Sequence, residues 1–234
     1  MAATPPDYEE FRIRADAVRA RIAAACAAAG RSPGEVELLA VTKSHPAAAA
    51  EWAARYGLRA VGENRVQEAI DKRAQTAAAV AWELIGHLQS NKARLAVRHF
   101  DRIQSVDSAK LLEILDREAG ETGKTLPVLL QVNAGLDPAK SGVEPDEAPR
   151  LLEAALGLRH LQVDGLMTIA PLAGGADTAR RTFARLREIR GLLASASGAR
   201  LRELSMGMSG DMDAAIAEGS TIVRVGSALF GPRA

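Results

Sequence analysis

A lysine stands where the apolar run "LLAVTKSHP", residues 38–46, gives way to polar residues. Leu38 to Val41 suit a buried strand, and Pro46 suits the first turn of a helix. On a strand, Leu39, Val41 and Lys43 share one face. If Leu39 and Val41 point into a core, Lys43 points into its mouth, partly out of water. Desolvation lowers the pKa of an ammonium and frees the amine to attack a carbonyl, so the chemistry suggested is a Schiff base. A lysine snorkelling to solvent is the plainer alternative. Near the end of the chain, "SMGMSGDM" (205–212) and "RVGSALFG" (224–231) are rich in Gly and Ser. Glycine lets backbone N–H groups approach an anion closely, and serine adds hydroxyl donors.

The elements that would position these residues alternate along the chain. A leading helical pattern runs over 7–29, with Phe11, Val18, Ile22 and Cys26 on one stripe. Strand-like runs follow at 36–43, 59–64, 82–88, 102–107, 127–135, 161–170, 201–209 and 221–231. Seven helix-like runs separate them, at 46–57, 66–79, 91–100, 108–120, 146–157, 178–193 and 211–219. Strict alternation means parallel βαβ units, and eight units favour an α/β fold closed as a (β/α)8 TIM barrel with an extra N-terminal helix. An open doubly wound sheet is the rival. The alanine runs 23–25, 27–29, 47–50 and 77–79 read as helix filler. "PLAGGAD" (171–177) reads as the most flexible loop, and no linker divides the chain, so one domain is expected over 1–234.

In such a barrel chemistry gathers at the C-terminal ends of the strands, and the loops after strands seven and eight often hold phosphate. Lysine and a phosphate cup in one mouth imply a phosphorylated carbonyl compound. A sugar phosphate, as in Schiff-base aldolases, and pyridoxal 5′-phosphate both qualify. Arg224 shares a strand face with Ile222 and needs a partner. A pyridine nitrogen is one option, and a structural ion pair inside the barrel is the other. Elsewhere the residues exclude more than they suggest. A net charge of +1 recruits neither nucleic acid nor an anionic membrane, and 3% aromatics give few stacking platforms. A single cysteine, Cys26, rules out an intrachain disulfide and a cysteine-rich metal site. No metal is expected. The start "MAATPPDYEE" lacks the basic and apolar regions of a signal peptide, so a cytoplasmic protein is expected.

Six stretches in order carry a family resemblance: "LLAVTKSHP", "VGENRVQE", "IGHLQSNK", "GLMTIAP", "LSMGMSGDM" and "VRVGSALFG", spanning 38–231. The chain resembles the pyridoxal phosphate homeostasis proteins, the YggS/PROSC family, which are similar to the N-terminal barrel domain of alanine racemase. The resemblance implies a single-domain barrel that binds pyridoxal 5′-phosphate (PLP) without an established reaction and helps keep vitamin B6 pools balanced. It makes Lys43 the Schiff-base lysine, sets Asn64 along the cofactor ring, and turns Arg224 to the pyridine nitrogen. It gives the phosphate to Ser205, Ser209, Gly226 and Ser227. Ser227 departs from the threonine more usual in the family, but its hydroxyl survives. Met208 is counted with the cofactor contacts because Met167, Met206 and Met208 are expected to pack under the cofactor or in the core. The implied partners are PLP and PLP-requiring apo-enzymes.

No catalytic residue is assigned. Racemisation needs acid–base groups on both faces of the cofactor. In alanine racemase-like enzymes the second is typically a tyrosine from another domain of the partner subunit. The sequence runs out at Ala234, just after the eighth strand, so no such domain is expected here, and with it the usual dimer partner is lost. A monomer is therefore expected. Tyr8 and Tyr56 are placed away from the mouth, while His45 and His87 lie near it. An arginine on the ring nitrogen also disfavours a ring proton and weakens the electron sink. A cofactor carrier is therefore the first reading, and a PLP-dependent amino-acid racemase of low activity the alternative.

Overall fold

Eight short strands close on themselves in chain order, each parallel to its neighbours. They are β1 (Glu37–Val41), β2 (Ala60–Glu63), β3 (Ala81–Leu84), β4 (Arg102–Val106), β5 (Leu126–Gln131), β6 (Leu161–Met167), β7 (Glu203–Met208) and β8 (Ile222–Val225). β1 pairs with both β2 and β8, which makes the sheet a closed barrel rather than an open one. This computed structural model describes residues 7–231. The first six and last three residues of the domain expected over 1–234 lie outside them.

Alternation along each strand sorts the core into two layers. Leu39, Val41, Ala60, Ile85, Leu129, Met167 and Ile222 pack inside the barrel. Leu38, Ala40, Val61, Leu84, Ile103, Leu204 and Val223 point outward to the helices. Those helices are α2 (Ala48–Arg55), α3 (Val66–Arg73), α4 (Ala93–His99), α5 (Ala109–Glu121), α6 (Ala148–Leu156), α7 (Gly175–Ser197) and α8 (Met212–Ala217). Among the described residues, β8 is followed only by the helical turn α9 (Ser227–Phe230). The leading helix α1 (Tyr8–Ala28) fills the eighth position of the ring, packing on α2, α8 and α9. Phe11, Ala15, Val18, Ile22 and Cys26 form its buried stripe. Asp7 caps its start, accepting from the Glu10 amide at 2.9 Å.

Strands β1, β3, β5 and β6 stop two to four residues short of their expected ends, and three further stretches also differ from expectation. Residues 76–80 are not helical, so the alanines 77–79 line a loop and fill no helix. α7 begins at Gly175, which draws half of "PLAGGAD" into a helix capped by Gly174 at φ 91°. The last strand stops at Val225, and Ser227–Phe230 coils where a strand was expected.

Candidate functional site

β1 stops at Val41, two residues before Lys43, and the chain turns over residues 42–45. The reason is local: Ser44 has φ 62°, a left-handed conformation that no strand can continue through. Leu39 and Val41 point inward, and beyond them the half-buried Lys43 lines the cavity at the C-terminal mouth. Asn64 follows β2 and lines the same cavity. Gly86, just beyond β3, lets the backbone of Asn64 pass close, since a Cβ there would fall 2.3 Å from the Asn64 carbonyl oxygen.

Arg224 is buried inside the barrel and reaches the cavity from below. One of its N–H groups donates to Ser205 Oγ at 2.7 Å and another to the Thr168 carbonyl at 2.8 Å. Ser205 Oγ in turn donates to Gln104 Oε1 at 2.6 Å, and Gln104 Nε2 donates to Glu83. Arg102 completes the line with two hydrogen bonds to Glu83, at 2.7 and 3.0 Å. Burial pulls the Arg224 pKa down to about 10, with Asp211 opposing the shift, so the guanidinium stays charged at neutral pH. Burial pushes the Glu83 carboxyl up, and Arg102 opposes it.

Ser205 was expected on a phosphate. It is fully buried, outside the lining of the cavity, and its hydroxyl is already engaged on both sides by Arg224 and Gln104. Inward alternation on β7 puts its side chain one layer below the mouth. The other three anion candidates do meet. Ser227 Oγ donates to Ser209 Oγ at 3.3 Å, joining the loops after β7 and β8, and Gly210 and Gly226 flank the pair. Asp211 closes the first loop by accepting from the Met208 amide at 2.6 Å. From α1, Arg21 holds the Ser209 carbonyl at 2.8 Å and pairs with Asp213. Met208 lines the cavity, whereas Met167 and Met206 are fully buried in the core.

The cavity encloses about 400 Å³, within the ~300–1,000 Å³ usual for small-molecule sites. Its cationic lining is Lys43, Lys140 and Arg224, with His87 beside them and no aspartate or glutamate among the described lining residues. The sequence reading missed Lys140, Ser141 and Gln131. Lys140 and Ser141 belong to the loop 132–147, and the length of that loop was a usable signal. His87 Nδ1 lies 3.3 Å from Asp107. The other acid–base candidates are elsewhere. The Tyr56 hydroxyl donates to Asp16 at 2.6 Å on the far side of the barrel, and burial pushes its pKa up to about 12. His45 packs its ring on Phe230 at 4.9 Å. A larger cavity of about 630 Å³ opens at the opposite end, lined by Arg31, Glu37, Arg59 and Glu203 among others. It lies at the N-terminal ends of the strands, away from the lysine, and its arginines and glutamates offset one another. Among the described residues no cluster of three or more metal-binding side chains occurs, and no helix is long and apolar enough to cross a membrane.

Comparison with known proteins identifies the fold and the family. Residues 13–234 match the family described as alanine racemase, N-terminal domain. The pyridoxal phosphate homeostasis protein of Pseudomonas aeruginosa is 46% identical over 217 residues, covering 92% of this chain and 93% of its own. PipY of Synechococcus elongatus, whose structure was solved with PLP bound, is 44% identical with a TM-score of 0.84, covering 94% of this chain and all of that one. Alanine racemase of Clostridium difficile shares the fold, with a TM-score of 0.78 at 15% identity, over 98% of this chain and 59% of the racemase.

Proposed function

The chain belongs to the alanine racemase N-terminal domain family and to the pyridoxal phosphate homeostasis proteins within that fold, and on this premise we propose that it binds PLP at the barrel mouth and helps keep the supply of that cofactor in balance. One observation carries the reading. Lys43, Arg224 and the Ser209–Ser227 hydroxyl pair converge on a single cavity that has no carboxylate among its described lining residues. That donor set fits an aldehyde, a ring nitrogen and a phosphate.

When bound, PLP supplies an aldehyde and an electron-withdrawing ring. Lys43 is the residue that would hold it as a Schiff base. The amines and hydroxyls around it bind the rest: Ser209 and Ser227, with the backbone at Gly210 and Gly226, take the phosphate, and Asn64 and Met208 border the ring. Arg224 carries a fixed positive charge to the ring nitrogen. Ser205 positions Arg224 and does not touch the ligand. A fixed cation at that nitrogen holds the cofactor while disfavouring ring protonation, which suits retention and release more than carbanion chemistry. Such a protein would act in the cytoplasm, with PLP-requiring apo-enzymes as recipients.

The test is reconstitution. Purified protein with added PLP is expected to show a visible absorbance band, borohydride to fix the cofactor on Lys43, and Lys43→Ala to abolish both. Absence of the band would return the sugar-phosphate reading.

A weak racemase is the second reading, and one observation favours it: His87 shares the cavity with Lys43 and has Asp107 behind its ring. An aspartate in that place orients the imidazole toward the cavity. Amino acids incubated with the PLP-loaded protein in deuterated water decide the matter by NMR. Loss of α-proton signal that depends on both Lys43 and His87 would establish turnover. Signals that persist leave the carrier.

A further inference from the structure

Behind the Lys43 turn, on the outer side of the barrel wall, lies a group of buried charges that does not line the cavity. Lys72 of α3 is its centre, with a side chain 9% exposed. Its ammonium reaches the Thr42 carbonyl at 2.6 Å, Glu63 Oε1 at 2.7 Å and Glu68 Oε1 at 2.8 Å. Three acceptors saturate the three N–H bonds of an ammonium. Thr42 Oγ1 donates to the same Glu63 oxygen at 2.7 Å, and the Ser44 amide donates to the same Glu68 oxygen at 2.5 Å.

The consequence is stereochemical. Peptide planes are rigid, so a residue's direction is set by the two planes that flank it. The plane before Lys43 carries the Thr42 carbonyl, and Lys72 holds it. The plane after Lys43 carries the Ser44 amide, and Glu68 holds it. Both are tied to one ion pair. Fixing both planes fixes the backbone angles of Lys43 and therefore where its side chain leaves the chain. The turn has reason to need this, because Ser44 is held in the left-handed region that side-chain-bearing residues rarely adopt.

Stability alone does not account for the arrangement. Buried charges are costly to desolvate, and apolar residues of similar size commonly fill such a space as well or better. Glu63 is fully buried, and its second oxygen has no hydrogen-bond partner. One ammonium serves two carboxylates here, so an ordinary helix-to-sheet contact is a poor description of the cluster.

We propose that Lys72, with Glu63 and Glu68, is a positioning device that aims the Lys43 amine into the cavity. The inference rests on the reading that Lys43 holds PLP. It makes Lys72 a determinant of how firmly the cofactor is held, although Lys72 never touches it.

The test uses the full chain as wild type, Lys72→Met and Glu68→Ala, with Lys43→Ala as control. Two quantities are read: exchange of the Ser44 backbone amide in the PLP-free protein, and PLP affinity and release followed by absorbance. Lys72→Met is expected to remain folded by circular dichroism, to speed Ser44 exchange about tenfold, and to weaken PLP binding about tenfold or more, the scale of a misplaced reacting group. Exchange and affinity both within about twofold of wild type in a folded variant would overturn the proposal, since a purely structural ion pair moves the melting temperature alone. Should Lys72→Met fail to fold, Glu68→Ala decides by the same two readouts, because Glu68 lies at the edge of the cluster with a side chain 25% exposed. Should wild type itself take up no PLP, the functional reading falls, and Ser44 exchange in the cofactor-free proteins still decides whether the clamp exists.

Discussion

Arg224 keeps a charge inside a barrel because its hydrogen bonds are passed along a line that ends on another charge. The line has one direction: Gln104 donates to Glu83, so its oxygen is free to accept from Ser205, which leaves the Ser205 oxygen to accept from Arg224. Removing the Ser205 hydroxyl leaves two buried polar groups short of a partner. Ser205→Ala is therefore expected to cost about 1–3 kcal/mol of stability in PLP-free protein, measured by urea denaturation, and to weaken PLP binding through a loosened Arg224. A serine whose only task was a phosphate would lose affinity and no stability. Glu68 supports a prediction in pH. Burial would raise its carboxyl, but the hydrogen bonds from Lys72 and the Ser44 amide outweigh burial and hold it below the ordinary value. The stability it adds is thus complete above the unfolded carboxylate value of about 4.3, and is lost as pH falls through the lower folded value. The stability difference between wild type and Glu68→Ala should be widest near neutral pH and shrink in that acid range, as read by tryptophan fluorescence. The inward face of Arg224 was legible in the sequence because strand alternation reports which face a residue takes, whereas Lys43 lies in the turn beyond β1 and was legible only as a lysine at the end of an apolar run. Alternation does not report depth: Ser205 faces inward as expected, but one layer below the residues that line the cavity.

The elements were legible where periodicity was strong and blurred where composition was shared. Eight strands and the helices between them are visible in the sequence, and the apolar stripe of α1 is as expected. Expected strand ends ran long at β1, β3, β5, β6 and β8 because the small and apolar residues beyond them suit both a strand and the turn after it. What sequence could not show is that α1 supplies the eighth helix of the ring, since that depends on barrel closure. Its anchor is Phe11, stacked on Phe230 of α9 at 5.1 Å and edge-on to Tyr56 at 6.0 Å. Phe230 also carries the His45 ring, so this one aromatic cluster supports both the turn beyond Lys43 and the turn that begins at Ser227. Phe11→Ala is expected to cost about 3–5 kcal/mol, seen as a lower melting temperature, and to speed PLP release. Destabilisation with an unchanged release rate would separate the helix from the site and limit α1 to closing the barrel.

On the scale of the whole molecule, a net charge of +1 conceals an uneven distribution. The mouth cavity is lined by Lys43, Lys140 and Arg224 and, among the described residues, by no carboxylate, while the cavity at the other end mixes arginine with glutamate. Asp211 is close enough to affect Arg224, but one of its oxygens is turned to the Met208 amide and it does not line the cavity. A concave site of one sign focuses its field and draws in a small anion, and the effect weakens as salt shortens the screening length from about 30 Å at 0.01 M to about 10 Å at 0.1 M. A phosphate ester should therefore enter faster at low salt. Stopped-flow mixing of PLP-free protein with PLP is expected to show an association rate that falls several-fold, about threefold or more, between these ionic strengths, while dissociation changes less because bound charges are screened less. Arg202→Glu, at the opposite end, adds negative charge at a distance from the mouth and should leave that salt dependence as it is. An association rate indifferent to salt would mean that the mouth's cations do not act on the approaching anion, and that Lys43 and Arg224 act only at contact.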